Sequence, residues 1–405
     1  MSEGPDQSRP DGRERAALVG LITGSTRRTH VEDALDELAG LAEAADIEPV
    51  IRFTQDRDRP DPATLIGSGK LATLKAACDE SGLTLVIFDN ELTPAQLRNI
   101  EKTLELRVID RTQLILDIFA RRARTREGKL QVELAQLRYL LPRLVGASAA
   151  MSRLGGGIGT RGPGETKLET DRRRIRLRIS SLTDDLAEVR RRRGQLRDRR
   201  RRTELPAVAL VGYTNAGKTT LFNRLTHDTA VASDALFVTL DPLTRELRLP
   251  NRQRAALSDT VGFIDRLPHT LVAAFRATLE EVADADLLLH VVDASIDDYE
   301  RHMQAVERVL SEVDAGDVPV LLVFNKVDRL DAGARDHLRQ AYEHSLQISA
   351  VSGDGVDGLL AEIARALALD TRRVTLSFDQ GRPEDREAIE RLYRVARVLS
   401  HDADG

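Results

Sequence analysis

The stretch AVALVGYTNAGKTTLFNRLT, residues 207–226, holds the residues best suited to chemistry. Gly212 and Gly217-Lys218-Thr219 fit the spacing G-x-x-x-x-G-K-[ST], in which a glycine-bounded loop turns backbone N–H groups onto phosphate oxygens. Tyr213, Thr214, Asn215 and Ala216 form the body of that loop. Lys218 would set its ammonium on the β- and γ-phosphates and Thr219 its hydroxyl on Mg²⁺, with the following helix N-terminus adding positive potential. Asp259-Thr260-Val261-Gly262 brings a carboxylate for Mg²⁺, through water, and the Gly262 N–H for a γ-phosphate. Asn325-Lys326-Val327-Asp328 reads the base: Asp328 accepts two hydrogen bonds from the N1–H and 2-amino group of guanine, which adenine cannot supply. Lys326 would lie along the base plane and Asn325 would brace the phosphate loop. Ser349-Ala350, with Val351 behind, offers a backbone N–H to guanine O6.

Two further positions carry the chemistry. The segment 229–245, TAVASDALFVTLDPLTR, must supply a threonine that reaches Mg²⁺ only beside a γ-phosphate. Thr239 and Thr244 both qualify, with Thr229 a weaker third. Phe263 stands where many regulatory GTPases carry a glutamine that orients the attacking water. Its ring can at most shield the phosphates, and on that reading the site is incomplete and a slow intrinsic rate is expected; alternatively it simply packs the second switch against the core.

An apolar strand must stand before each motif. Ala207–Val211, RAALS, PVLLVF and LQI fill those places, and Leu221, Phe222 and Leu225 give the helix after the phosphate loop its buried face. The N-terminal part shows the same alternation: AALVGLITG, EPVIRFTQ, TLVIFDN and LRVID read as strands, with helical stretches between. Alternating strands and helices imply a parallel sheet with crossover helices. Gly67-Ser68-Gly69-Lys70 resembles a second phosphate loop but has Thr64 for the first glycine and Leu71 for the Ser or Thr, so it reads as a helix-start turn.

Residues 112–204 change character. Leu130, Leu134, Leu137, Leu141 and Leu144 are spaced 4, 3, 4, 3, and Ile175, Ile179, Leu182, Leu186 and Val189 follow the same rule within a helix from about Lys167 to Arg202. Two such seams joined by a loop predict an antiparallel helical hairpin, with Pro142 kinking or ending its first helix. The joining loop, MSRLGGGIGTRGPGETK, is glycine-rich and carries Arg153, Arg161 and Lys167. From Glu165 to Glu204 there are 15 Lys/Arg against 8 Asp/Glu, including Arg172, Arg173 and Arg174, in a chain whose net charge is −5. A local excess of this size points to a phosphate backbone. Aromatics are scarce here, which favours shape and phosphate contact to folded RNA over base stacking.

The 405 residues, 41% apolar, allow two or three domains. There is no apolar run of membrane-spanning length. The polar start, residues 1–15, reads as disordered, and the lone Cys78, fitting a reducing cytosol, as a small core residue.

GYTNAGKTTLFN, FVTLDPLTR, DTVGFI and NKVD together resemble the HflX family of translation-associated GTPases. So do IGSGK, VIFDNELTPAQLRNIE, VIDRTQLILDIFARRARTREGKLQVELAQLRYLLPRL and SRLGGGIGTRGPGETKLETDRRRI. The resemblance runs from about Leu18 to Leu369. It implies a cytosolic Mg²⁺-dependent GTP hydrolase, acting as a monomer, that binds the large ribosomal subunit and splits stalled ribosomes, its arm reaching rRNA through Arg153, Arg161 and Arg172–Arg174. At most a weak association with a membrane is expected. It further implies that Thr219 and Thr239 ligate Mg²⁺, that Lys218, Thr239 and Gly262 serve catalysis, and that Phe237, Val238, Thr239, Leu240 and Asp241 contact nucleotide. Residues 372–405, RRVTLSFDQGRPEDREAIERLYRVARVLSHDADG, resemble the opening strand and helix of the family's C-terminal domain. The expected fold is α/β: residues 1–15 disordered, an N-terminal α/β domain over 16–111, the hairpin arm over 112–204, a P-loop G domain over 205–370 and a short C-terminal βα piece over 371–405. Alternatives are a GTP-dependent ribosome-assembly or RNA-remodelling factor, an ATP-driven RNA unwinding activity in the N-terminal domain, and an RNA-binding scaffold that holds GTP structurally. A scaffold would show no ribosome-stimulated turnover.

Overall fold

The computed structural model describes residues 13–23, 28–154, 163–202, 205–228, 236–237, 239–250, 253–265, 281–313, 315–367, 375–379, 382–395 and 400. It divides into a large unit, Met1–Leu367, and a small one, Ala368–Gly405.

The large unit begins with β1 (Glu14–Ile22), α1 (Arg28–Ala44), β2 (Ile47–Asp56), α2 (Ser68–Ser81), β3 (Leu85–Phe88), α3 (Pro94–Leu104) and β4 (Arg107–Asp110). The strands form a parallel sheet in the order β2-β1-β3-β4. All four residues of β3 are buried, as expected of a strand covered on both faces. Thr93 starts α3 with a capping box to Gln96, and Pro94 takes the first helical position where no N–H is needed. One face of the sheet (Val19, Val86, Phe88) packs on Leu74, Cys78 and Ile100 from α2 and α3. The other face (Leu18, Leu85, Ile87) packs on α1 and on α4 (Arg111–Arg122).

The range 112–204 expected for the arm therefore starts too early. Ile115, Ile118 and Phe119 of α4 are at most 1% exposed and belong to the core of the N-terminal sheet. Two long helices follow, α5 (Arg126–Leu154) and α6 (Pro163–Arg202). Pro142 neither ends nor breaks α5, which continues past it to Leu154. Leu134 packs with Leu182 and Leu186, flanked by Leu130, Leu137 and Ile179, and Arg178 forks onto Glu133 at 2.7 and 2.8 Å. Burying a leucine in this way contributes about 1.5–3 kcal/mol. Asp110 fixes α5 to the sheet: it caps α4 through the Gln113 N–H and accepts from Tyr139 Oη at 2.8 Å and Arg143 Nη2 at 3.1 Å.

The rest of the large unit contains β5 (Ala207–Val211), α7 (Lys218–Thr226), β6 (Leu243–Arg248), β7 (Arg254–Asp259), β8 (Leu287–Asp293), α8 (Tyr299–Glu312), β9 (Val320–Asn325), a 3-10 turn Val327–Arg329, α9 (Ala332–Ala341), β10 (Leu346–Gln347) and α10 (Val356–Ala366). The sheet order is β10-β9-β8-β5-β7-β6, parallel except for β6. Strand β5 has β8 on one side and β7 on the other, so the chain changes direction of winding there, and the crevice beyond its end is where such sheets bind ligands.

The small unit carries α11 (Pro383–Val395). The strand expected before it is not formed among the described residues. Residues 375–379 belong to neither sheet, and the Asp379 N–H donates to the Asp385 carboxylate at 2.8 Å. No helix among the described residues is long and apolar enough to cross a membrane.

Candidate nucleotide and metal site

A cavity of about 360 Å³ opens beyond the end of β5. Thr214, Asn215, Gly217, Lys218 and Thr219 form one wall, Phe237, Thr239, Thr260 and Gly262 a second, and Asn325, Lys326, Asp328, Ser349, Ala350 and Val351 a third. Residues separated by more than 130 positions thus share one space. Thr220 and Arg329 also line it; each follows a motif residue directly, and only that adjacency could have pointed to them.

The phosphate loop turns at Gly217, whose φ of 87° is open to glycine at no steric cost. A Cβ there would meet Asn325 Nδ2 at 2.2 Å, so the brace and the missing side chain require each other. Asn325, 2% exposed, donates from Nδ2 to Ala216 O and accepts at Oδ1 from the Ala350 N–H, each at 2.9 Å. The Ala350 N–H expected for guanine O6 is therefore engaged within the protein in this structure. Lys326 pairs with Asp293 at 2.6 Å, which lays its stem beside the base wall.

Lys218 Nζ donates to Gly212 O at 3.0 Å and Tyr213 O at 2.6 Å. Burial lowers its ammonium to about 8; the Asp259 charge opposes that and Lys326 adds to it. Two neutral carbonyls are weak compensation for a buried cation, which leaves this group ready to take an anion.

Thr219 Oγ1 and Thr239 Oγ1 lie 2.8 Å apart, and both donate to Asp259 Oδ2, at 2.8 and 2.9 Å. Asp259 is fully buried; its Oδ1 has no partner, and burial pushes its carboxyl up against the pull of Lys218 and the two hydroxyls. A buried carboxylate with two hydroxyls converged on one oxygen and the other left without a partner offers the all-oxygen donor set that a hard divalent cation takes. The residues present thus suit Mg²⁺. Thr214 Oγ1 is likewise buried without a partner and lines the cavity. Thr244 is elsewhere: its hydroxyl meets Ser258 Oγ at 2.9 Å across the β6–β7 ladder. Thr229 and Val238 lie outside the described residues, as do Arg161 and the side chain of Arg153.

Several candidates turn away from the cavity. Phe263, 2% exposed, packs with Val211, Val282 and Leu288, so its ring shields no phosphate. Its backbone ties the second switch to the phosphate loop, with Phe263 N donating to Gly212 O at 3.1 Å and Thr214 N to Phe263 O at 2.7 Å. Tyr213 also faces away. Its hydroxyl donates to Glu37 of α1 and accepts from the Asp265 N–H at 2.7 Å, and its ring stacks on His302 at 3.6 Å. Arg111, 4% exposed, joins Glu37, Asp89 and the Asp265 carbonyl, linking the N-terminal sheet to the second switch. Asp241, expected on nucleotide, does not line the cavity; its carboxylate accepts from Arg124 N, Thr125 N and Thr125 Oγ1. Gly212, Ala216, Leu240, Val261 and Val327 are buried around the walls and shape them from behind. Of the arginines expected on RNA, Arg173 and Arg174 are exposed on α6 and Arg172 half-buried.

Residues 32–120 match a family described as GTP-binding GTPase N-terminal, 122–200 one described as GTP-binding GTPase middle region, and 207–326 one described as 50S ribosome-binding GTPase. The chain is 49% identical to the GTPase HflX of Caldanaerobacter subterraneus over 97% of its own length and 89% of the relative's. Against the GTPase HflX of Lacrimispora saccharolytica it is 50% identical over 86% and 81%, and against that of Escherichia coli 45% identical over 96% and 91%. With a phosphate loop, a buried carboxylate beside two hydroxyls and the Asn325–Asp328 segment around one cavity, and with identity of this extent along nearly the whole chain, the protein belongs to the HflX family of GTPases.

Proposed function

We propose that the protein binds the large ribosomal subunit in its GTP form and uses hydrolysis to leave it, splitting or rescuing stalled ribosomes in the process. The observation that carries this reading is the cationic surface of α6, with Arg173, Arg174, Arg176, Arg191 and Arg192 exposed on a helix whose partner α5 begins against the nucleotide-binding half. We read α5 and α6 as an antiparallel arm. At 1.5 Å per residue the 40 residues of α6 span about 60 Å, long enough to carry cations far from the GTP cavity. The match of residues 207–326 to the 50S ribosome-binding description supports the same partner. The monomeric, cytosolic state is read as the working form.

In hydrolysis Lys218 would exchange its two carbonyl partners for phosphate oxygens, and Gly262 would offer its N–H to the γ-phosphate. Thr219 and Thr239 would hold Mg²⁺, with Asp259 supporting it through water, and the ion would supply positive charge to offset that of the phosphates. With Phe263 turned into the core, no side chain at that position orients water. Intrinsic turnover is therefore expected near about 10⁻⁴ to 10⁻² per second, with the ribosomal partner completing the site.

Sedimentation of purified ribosomes with the protein and a non-hydrolysable GTP analogue tests the reading. Association with the large subunit and loss of 70S particles are expected. Replacing Arg172, Arg173 and Arg174 should weaken association and flatten its salt dependence while GTP binding survives. Binding to immature subunits alone would transfer the function to assembly. Splitting at the normal rate by a variant lacking 152–164 would make the arm merely structural.

A further inference from the structure

The two residues that flank Thr239 at a distance of two are both anchored outside the nucleotide-binding half. Phe237 is 2% exposed and has a φ of 56°, a conformation unfavourable for a bulky side chain and kept only where its surroundings hold it. Its ring meets Phe119 of α4 edge to face, with centroids 4.7 Å apart, inside the core that α1, α4 and α5 build on the N-terminal sheet. Leu236 before it lies over Gly40 of α1, where a Cβ would approach Leu236 Cδ1 to 3.3 Å.

Asp241 does the same on the other side. One carboxylate oxygen accepts from the N–H groups of Arg124 and Thr125, both at 2.9 Å, and the other accepts from the Thr125 hydroxyl. Thr125 is itself the cap of α5, since its Oγ1 accepts from the Gly128 N–H at 2.9 Å. The Asp241 charge thus sits on the positive end of a 29-residue helix. Space for it exists because position 128 is glycine: a Cβ there would fall 2.3 Å from Asp241 Oδ1.

We propose that Phe237 and Asp241 are positioning residues that hold Thr239 in register with Thr219 and Asp259 by fastening both sides of the first switch to α4 and to the start of α5. The inference rests on GTP hydrolysis alone and stands whether or not the partner is the ribosome. Thr239 reaches a metal only beside a γ-phosphate, so the anchors favour Mg²⁺ with a triphosphate and leave the diphosphate untouched. Linkage makes the effect mutual: a bound triphosphate must tighten the Asp241 cap by the same factor as the cap tightens triphosphate binding.

Two variants of the full chain test this. Asp241→Asn puts an amide where three donors converge. Gly128→Ala leaves the switch unaltered in sequence and supplies α5 with a better helix former, yet drives a methyl group into the Asp241 carboxylate. In both, affinity for a non-hydrolysable GTP analogue in Mg²⁺ should fall by about tenfold, a coupling of ordinary size, while GDP affinity stays within twofold. The Mg²⁺ concentration for half-maximal analogue binding should rise in step. Hydrogen exchange at the amides of Arg124 and Thr125 should slow when the analogue replaces GDP in the parent protein, and lose that response in the variants. Equal losses for both nucleotides, or unchanged analogue affinity in Gly128→Ala, would overturn the proposal. So would exchange at Arg124 and Thr125 that ignores the nucleotide in the parent.

Discussion

Replacing Asn325 by Ala should cripple nucleotide binding without favouring one nucleotide. The side chain is 2% exposed and spans two loops, holding Ala216 O on the phosphate side and the Ala350 N–H on the base side. Truncation leaves one acceptor and one donor unmet. Each unmet buried group costs about 1–3 kcal/mol, so the pair costs about 2–6 kcal/mol. In the free protein water can enter the adjoining cavity and meet part of that demand, whereas a bound nucleotide displaces it. The bound state therefore carries most of the penalty. A net loss of about 2–4 kcal/mol corresponds to roughly 30- to 700-fold in Kd. Titration with a fluorescent GDP and a fluorescent GTP analogue measures it, and both should weaken alike because the hydrogen bonds of Asn325 reach neither switch. An Asn325→Ala protein binding GDP within threefold of the parent would show that the two loops hold their shape without this brace.

Asp328→Asn should lower guanine nucleotide affinity by about tenfold or more, since it turns an acceptor into a donor facing guanine N–H groups; unchanged affinity in titration would remove Asp328 from base recognition. Phe263→Leu should lower stability by about 1–2 kcal/mol through lost packing around Val211 and Leu288 while single-turnover hydrolysis stays within twofold; a tenfold change in rate at unaltered thermal midpoint would put the ring back in the chemistry. His290, 3% exposed in β8, is held down to about 4 by burial and then by the Lys218 charge. Its unfolded value is near 6.5, so between those values only the unfolded chain takes up the proton. The stability is fully present above about pH 6.5 and is lost progressively as pH falls toward 4, by about 3 kcal/mol in all. Thermal midpoints across that range should show it, and His290→Leu should flatten that part of the profile.

The nucleotide cavity was legible in the sequence because its parts are set by local backbone demands. Gly217 must turn, Asp259 must end a buried strand, and Asn325 must follow one. Each demand leaves a short pattern. Choosing Thr239 over Thr244 was not possible from spacing, because it depends on which residue enters the β6 ladder. The anchors of the switches were hidden for a different reason. Asp241 meets Thr125 across 116 positions and Tyr213 meets Glu37 across 176, and no periodicity connects residues so far apart. Both therefore looked like nucleotide contacts, being embedded in motifs that are. Heptad spacing located α5 and α6, but it could not show that α4 belongs to the sheet, since a buried helix and an arm helix share the same 3/4 rhythm. Pro142 is tolerated inside α5 despite the lost N–H, which from the sequence reads as a kink or an end.

Helix α5 is held at its start by the cap at Thr125, further on by the grip of Asp110 on Tyr139 and Arg143, and between them by Val132 and Ala135, buried in the core of the N-terminal sheet. Fourteen residues separate Thr125 from Tyr139 and fifteen separate Tyr139 from the end of the helix at Leu154, about 21 and 22 Å of rise. The half of α5 between Thr125 and Tyr139 is therefore bedded along its length, and a pull at its cap is resisted by the core of the N-terminal sheet before it can reach Leu154. Asp241 moors the first switch to a stationary post, so what the γ-phosphate can alter is how firmly the mooring holds rather than where the post stands.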